Sequence, residues 1–89
     1  MEFDWESGNE EHSALHGVTP EEAEEAATDP ERVASSAYRS TRGEARQAVT
    51  GDTLDGRMLT VILTRRGDLF RVVTAREASA GERRSYRRN

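Results

Sequence analysis

Residues 58–76 constrain this chain more than any other stretch. Met58-Leu59-Thr60-Val61-Ile62-Leu63-Thr64 is its clearest run of strand formers, and Arg66-Gly67-Asp68 turns the chain back into Leu69-Phe70-Arg71-Val72-Val73-Thr74-Ala75-Arg76. Asp55-Gly56, just upstream, is a second hairpin signal. Residues 33–38 and 45–51 have weaker strand character, so a meander of four strands is expected. Of 89 residues only 34% are hydrophobic, which supplies one thin core in one domain over residues 1–89. A Rossmann or barrel enzyme is excluded on size. The chain has no cysteine, hence no disulfide, no thiol nucleophile and no Cys-ligated zinc.

Helix signals flank the meander. Ser7-Gly8-Asn9-Glu10 has the form of a capping box, predicting a helix over about 8–15 that Gly17 closes from a left-handed position. Val18-Thr19-Pro20-Glu21-Glu22 places Thr at the N-cap, Pro at the first helical position and Glu at the third; this helix should stop near Thr28, before Asp29-Pro30. Ser79-Ala80-Gly81-Glu82 opens a last helix through about Arg87. Phe3-Asp4-Trp5 alternates like a short strand. The expected fold is α+β: an acidic part with two N-terminal helices (1–29), a four-stranded antiparallel sheet (30–76) and a basic C-terminal helix (77–89). Alternation along the last strand puts Phe70, Val72, Thr74 and Arg76 on one face and Leu69, Arg71, Val73 and Ala75 on the other. Helices can cover one face of so small a sheet; the other is expected to be half-open and rimmed by arginine.

Charge is segregated along the chain. Residues 1–31 hold eleven acids and no lysine or arginine, and residues 32–89 hold thirteen arginines and six acids. The net charge of −4 therefore hides a basic working surface beside an acidic arm. Every base is arginine, whose planar fork binds two phosphate oxygens and stays charged when partly desolvated. Coding bias also turns lysine into arginine, but it does not sort charges by sign. No apolar run is long enough for a membrane span, and the N-terminus lacks the basic start and apolar stretch of a signal peptide; a cytoplasmic location is expected.

Phe3-Asp4-Trp5-Glu6, the run His16-Gly17-Val18-Thr19-Pro20-Glu21-Glu22, Asp29-Pro30, Gly56-Arg57 with Leu59-Thr60-Val61, and Thr64-Arg65-Arg66-Gly67-Asp68 through Arg71–Ala78 to Glu82-Arg83-Arg84-Ser85-Tyr86 together resemble the BrnT toxins of BrnT–BrnA type II toxin–antitoxin modules. The resemblance covers nearly the whole chain in order. It implies a RelE-like fold and endoribonuclease activity on messenger RNA. It also implies neutralisation by a BrnA-like ribbon-helix-helix antitoxin, through which the complex binds its operator DNA. Attack by the RNA 2′-hydroxyl would need no cofactor and no metal. Two departures from the family pattern remove candidate proton carriers: Leu15 where a basic residue is common before His-Gly, and the loop Arg39-Ser40-Thr41-Arg42-Gly43. A second class of function stays open, an antitoxin-binding co-repressor that keeps the fold without cleaving RNA.

A metal-free ribonuclease needs cations at the phosphorane and groups that move protons. Arg76, ending the last strand, and Arg46, in the Glu44-Ala45-Arg46 step that matches the family's Glu-x-Arg, are the expected catalytic cations; Arg76 also reads as a solvated strand-end arginine pairing with Glu77 or Glu82. His16, Glu82 and Tyr86 are the expected proton carriers. Each has a structural alternative: His16 as a helix C-cap, Glu82 as a capping-box residue, Tyr86 as a ring packed under the sheet. Arg57, Arg65, Arg66 and Arg71 are expected to contact RNA. His12 and His16 share a helix face, but two histidines without a third ligand do not make a zinc site.

Overall fold

The computed structural model describes residues 1–39 and 43–88, leaving aside the side chains of Ser7, Glu10, His12 and residues 36–39. Its elements are β1 (Glu2–Asp4), α1 (Ser7–Ala14), α2 (Pro20–Ala27), β2 (Val33–Arg39), β3 (Ala45–Asp52), β4 (Met58–Arg66), β5 (Leu69–Glu77) and α3 (Ala80–Arg87). The class is α+β, but the expected architecture of two N-terminal helices, a four-stranded antiparallel sheet and a C-terminal helix is corrected. The sheet has five strands in the order β1-β5-β4-β3-β2 and is mixed, because β1 pairs parallel to β5 through Phe3↔Phe70 and Asp4↔Arg71. A strand so far away in sequence is not bound by the antiparallel geometry of a hairpin. It covers part of the open β5 edge, so the acidic segment contributes to the sheet as well as to the helices.

Local signals place the helix starts. The Thr19 hydroxyl accepts from the Glu22 amide at 3.1 Å and the Glu22 carboxylate accepts from the Thr19 amide at 3.0 Å. Ser79 and Glu82 repeat the exchange at 3.2 and 2.8 Å. The first box sits one residue earlier than expected: Glu6 is the N-cap, and its amide donates to Asn9 Oδ1 at 2.6 Å. Asn9 is buried and its Nδ2 donates to the Asp4 carbonyl, so one amide side chain ties the β1–α1 turn from both sides. Gly17, at φ +70°, has the left-handed backbone expected after this helix.

The core is one-sided. Leu59, Val61 and Leu63 on β4, with Val49, Val72 and Ala75, pack under Val18 and the alanines Ala23, Ala26 and Ala27 of α2. Alanine lets that helix lie low over the sheet, and Gly51 completes the approach: a Cβ there would collide with the Ala26 carbonyl. Fully burying medium-sized apolar side chains stabilises by about 1.5–3 kcal/mol each. Among the described residues no helix is long and apolar enough to cross a membrane.

One irregularity on β5 matters most. Leu59–Ile62 pair with Glu77–Thr74, but Leu63–Arg66 pair with Val72–Leu69, leaving Val73 as an extra residue. Cross-strand partners share a face. Thr60↔Arg76 and Thr64↔Arg71 therefore put both arginines on the same face of the sheet. The simple alternation that assigned one arginine to each face is corrected by this bulge.

Candidate nucleic-acid interface

The register also decides where Arg46 lies. Gln47 pairs with Leu63 on the core face, so Arg46 alternates onto the face of Thr60, Ile62 and Thr64. Arg46, Arg66 and Arg71 together line a cavity of about 260 Å³, with Thr64 and Val73 in its wall. Glu44 lines it as well, and Gly8 and Asn9 of α1 close one side. A neighbouring cavity of about 440 Å³ shares Arg46 and Thr64 and adds Gln47, Arg65 and Phe70. Arg65 is held at the hairpin tip, its guanidinium 5.8 Å from the Phe70 ring centre and its Nε donating to Gly67 O at 2.9 Å.

Two of the pocket arginines, Arg66 and Arg71, meet their carboxylates loosely. Arg71 lies 3.5 Å from Asp4 and 3.3 Å from Glu6, and Arg66 lies 3.7 Å from Glu44. Acids thus follow the arginines onto this surface, against the expectation that they gather elsewhere. Glu44 is the site residue that sequence reasoning passed over. Its signal was present in the Glu44-Ala45-Arg46 step, where alternate residues of a strand share a face.

The other expected site residues occupy two further places. At the Thr60 end of the same face, Arg76 donates two hydrogen bonds to Glu82, at 2.7 and 3.0 Å. The fork pulls the Glu82 carboxyl down to about 2, outweighing its partial burial, while the amide of Ser79 also donates to it and the nearby Thr60 hydroxyl lowers it further. Glu82 in turn raises Arg76 above the usual guanidinium value. A carboxylate so stabilised is a poor base. Tyr86 donates to Asp29 Oδ2 at 2.6 Å, and this bond, with burial and the negative charges nearby, pushes the phenol up to about 12. Asp29 also accepts from the amides of Glu31 and Asp52; these bonds hold its carboxyl below the usual value although burial alone would raise it.

Arg57 sits at a corner of the fold. It donates to Glu77 at 2.7 Å, to the Gly17 carbonyl at 2.8 Å and to Glu22 at 3.1 Å, and the Glu77 bond leads the causes that raise it above its ordinary value. His16 is exposed beside that corner, next to Gly17. Neither lines the pocket. The side chain of His12 and loop residues 40–42 lie outside the described residues.

The face carries what an RNA-cleaving site needs: several guanidinium groups around one cavity and a carboxylate among them. A family model described as the ribonuclease toxin, BrnT, of a type II toxin–antitoxin system matches residues 5–82. No curated protein matches the chain. The match spans all but the extreme ends, from the β1–α1 turn to the Glu82 partner of Arg76, and the chain belongs to the BrnT family of ribonuclease toxins of type II toxin–antitoxin systems.

Proposed function

We propose that the protein cleaves messenger RNA by attack of a ribose 2′-oxygen, with the scissile phosphate seated among Arg46, Arg66 and Arg71. One observation carries this reading: Arg66 and Arg71 line a shared cavity and hold their carboxylates only at 3.3–3.7 Å, whereas Arg57 and Arg76 hold theirs at 2.7 Å. A phosphodiester, its single negative charge shared over two non-bridging oxygens, matches the guanidinium fork and competes well for loosely held arginines. The 2′-hydroxyl gives its proton to Glu44, its oxygen bonds to phosphorus, and the bond from phosphorus to the 5′-oxygen breaks. The products are a 2′,3′-cyclic phosphate and a 5′-hydroxyl whose proton comes from solvent. Arg76 and Glu82 shape the far end of the groove. Arg65 adds general RNA contact, and Arg57 and Tyr86 hold the fold. His16 is the remaining acid–base candidate, to be checked as His16→Ala in the same assay.

The family supplies an antitoxin partner and an RNA substrate. We assign the antitoxin to the ribbon-helix-helix class, with operator DNA bound through it, and place its basic surface against the acidic segment 1–31. The deciding experiment incubates purified protein with messenger RNA in chelator. Cleavage is expected, and Arg46→Ala should lower its rate about 10²–10³-fold, as for loss of one donor to a charged transition state. Intact RNA at high protein excess would overturn the proposal. The engagement of Arg66, Arg71 and Arg76 by carboxylates favours a second reading, a co-repressor that binds the antitoxin without cleaving. Expression without the antitoxin separates the two: growth arrest identifies the nuclease, harmless expression the co-repressor.

A further inference from the structure

Helix α3 carries a set of cations that the pocket does not use. Arg84, Arg87 and Arg88 are exposed and spaced i, i+3 and i+4, neighbours on a helix surface about 5–6 Å apart at Cβ. Their orientation is settled by the opposite side of the helix, where Glu82 holds Arg76, Tyr86 holds Asp29 and Arg83 donates to the Ala78 carbonyl. Among the described residues no carboxylate lies within ion-pair distance of these three arginines, although Arg57, Arg66, Arg71, Arg76 and Arg83 each have one. The helix dipole favours a cation in the last turn. A single arginine meets that preference, so it does not account for three without counter-charge on one outward face.

The position of α3 connects this stripe to the pocket. Glu82 of α3 bonds Arg76, the cross-strand partner of Thr60, and the pocket surrounds Thr64 on the same face of β4. Four residue steps along the strand separate Thr60 from Thr64, about 13 Å. A strand of RNA leaving the pocket along the sheet therefore runs into α3. We propose that Arg84, Arg87 and Arg88 form a second anion-binding surface, which takes the phosphate backbone of single-stranded RNA flanking the segment in the pocket. The inference rests on the reading of the pocket as the RNA site. Contacts to phosphate carry no base information, so this surface adds affinity and salt dependence rather than sequence preference.

The test uses the full chain and uncleavable 2′-O-methyl RNA in two lengths, about four and about sixteen nucleotides. The variant R84Q/R87Q/R88Q should bind the long RNA at least about tenfold more weakly at low salt, with the slope of log affinity against log salt reduced by about 2. Binding of the short RNA should be unchanged. R84K/R87K/R88K should restore the slope, and an unchanged circular-dichroism melt excludes loss of the helix. Unaltered affinity and slope for the long RNA in the glutamine variant overturn the inference while leaving the pocket reading intact. So does an unaltered slope with loss of antitoxin binding, which gives the stripe to a protein partner. If Arg46→Ala leaves short-RNA binding unchanged while the glutamine variant loses the long RNA, the pocket reading fails, and with it the claim that α3 flanks the pocket; only the RNA contact of α3 survives. Failure of the unsubstituted protein to bind either RNA overturns both.

Discussion

Two arginines on one strand, Arg71 and Arg76, end up on the same face of the sheet in different surroundings. Arg76 meets Glu82 through two short hydrogen bonds, at 2.7 and 3.0 Å, in a corner closed by α3. Arg71 reaches Asp4 and Glu6 only at 3.5 and 3.3 Å, in the wall of an open cavity. A bidentate fork is already satisfied, and displacing its partner costs several charge-assisted bonds. Long contacts, even spread over two carboxylates as those of Arg71 are, yield more readily to a better anion. On the proposed reading, what an arginine does here follows from how well its own carboxylate fits it, and residue type and exposure alone do not reveal that.

Substituting each arginine in turn should separate the two ends most sharply. Arg71→Ala is expected to lower RNA cleavage about 10²-fold or more, with stability changed by less than about 1 kcal/mol because its pairs are long. Arg76→Ala should do the reverse, destabilising by about 1.5–3 kcal/mol by stranding the half-buried Glu82 while cleavage falls less than about tenfold. Urea titration and a cleavage assay on both variants check this. Equal behaviour of the two would erase the distinction.

Acid should dissolve the closed end next. Glu82 titrates at about 2 in the folded protein against an ordinary 4.5, so its contribution to stability is complete above about pH 4.5 and is lost as pH falls through about 2. Screening at a partly exposed pair limits this to on the order of 1–2 kcal/mol. Glu82→Gln should flatten that part of the pH–stability curve. A curve unchanged by the substitution would show that the fork contributes nothing to folding.

The smallest expected effect concerns the phenol. Tyr86→Phe removes one hydrogen bond to Asp29, which still accepts from two amides, so a loss of about 1 kcal/mol is expected with cleavage unchanged. Loss of cleavage at full stability would return Tyr86 to the proton-transfer chemistry and break the assignment of that corner to the fold.

Legibility in the sequence followed the range of the interactions. The boxes at Thr19–Glu22 and Ser79–Glu82 join residues three apart, and the β4–β5 hairpin needs only a turn and two strand-forming runs; all were readable. The Ser7–Glu10 box was misplaced by one residue because Asn9 also holds the carbonyl of Asp4. At the candidate site, the strand position of Arg46 is readable locally. Simple alternation separates Arg71 from Arg76, because nothing local marks Val73 as the extra residue. The roles of Arg57 and Tyr86 depend on Glu22 and Asp29, which lie 35 and 57 residues away.

From its residues alone, then, the chain determined an α+β class, the starts of its second and third helices, and a split between an acidic segment and an arginine-rich one, since these follow from backbone preference and composition. Tertiary structure decided that β1 would join the sheet, that a bulge would bring Arg71 and Arg76 onto one face, and that Asp4 and Glu22 of the acidic segment would pair with arginines of the basic one. Those outcomes are set by strand register and by contacts between residues far apart in the chain, and such contacts take their geometry from packing rather than from neighbours in sequence.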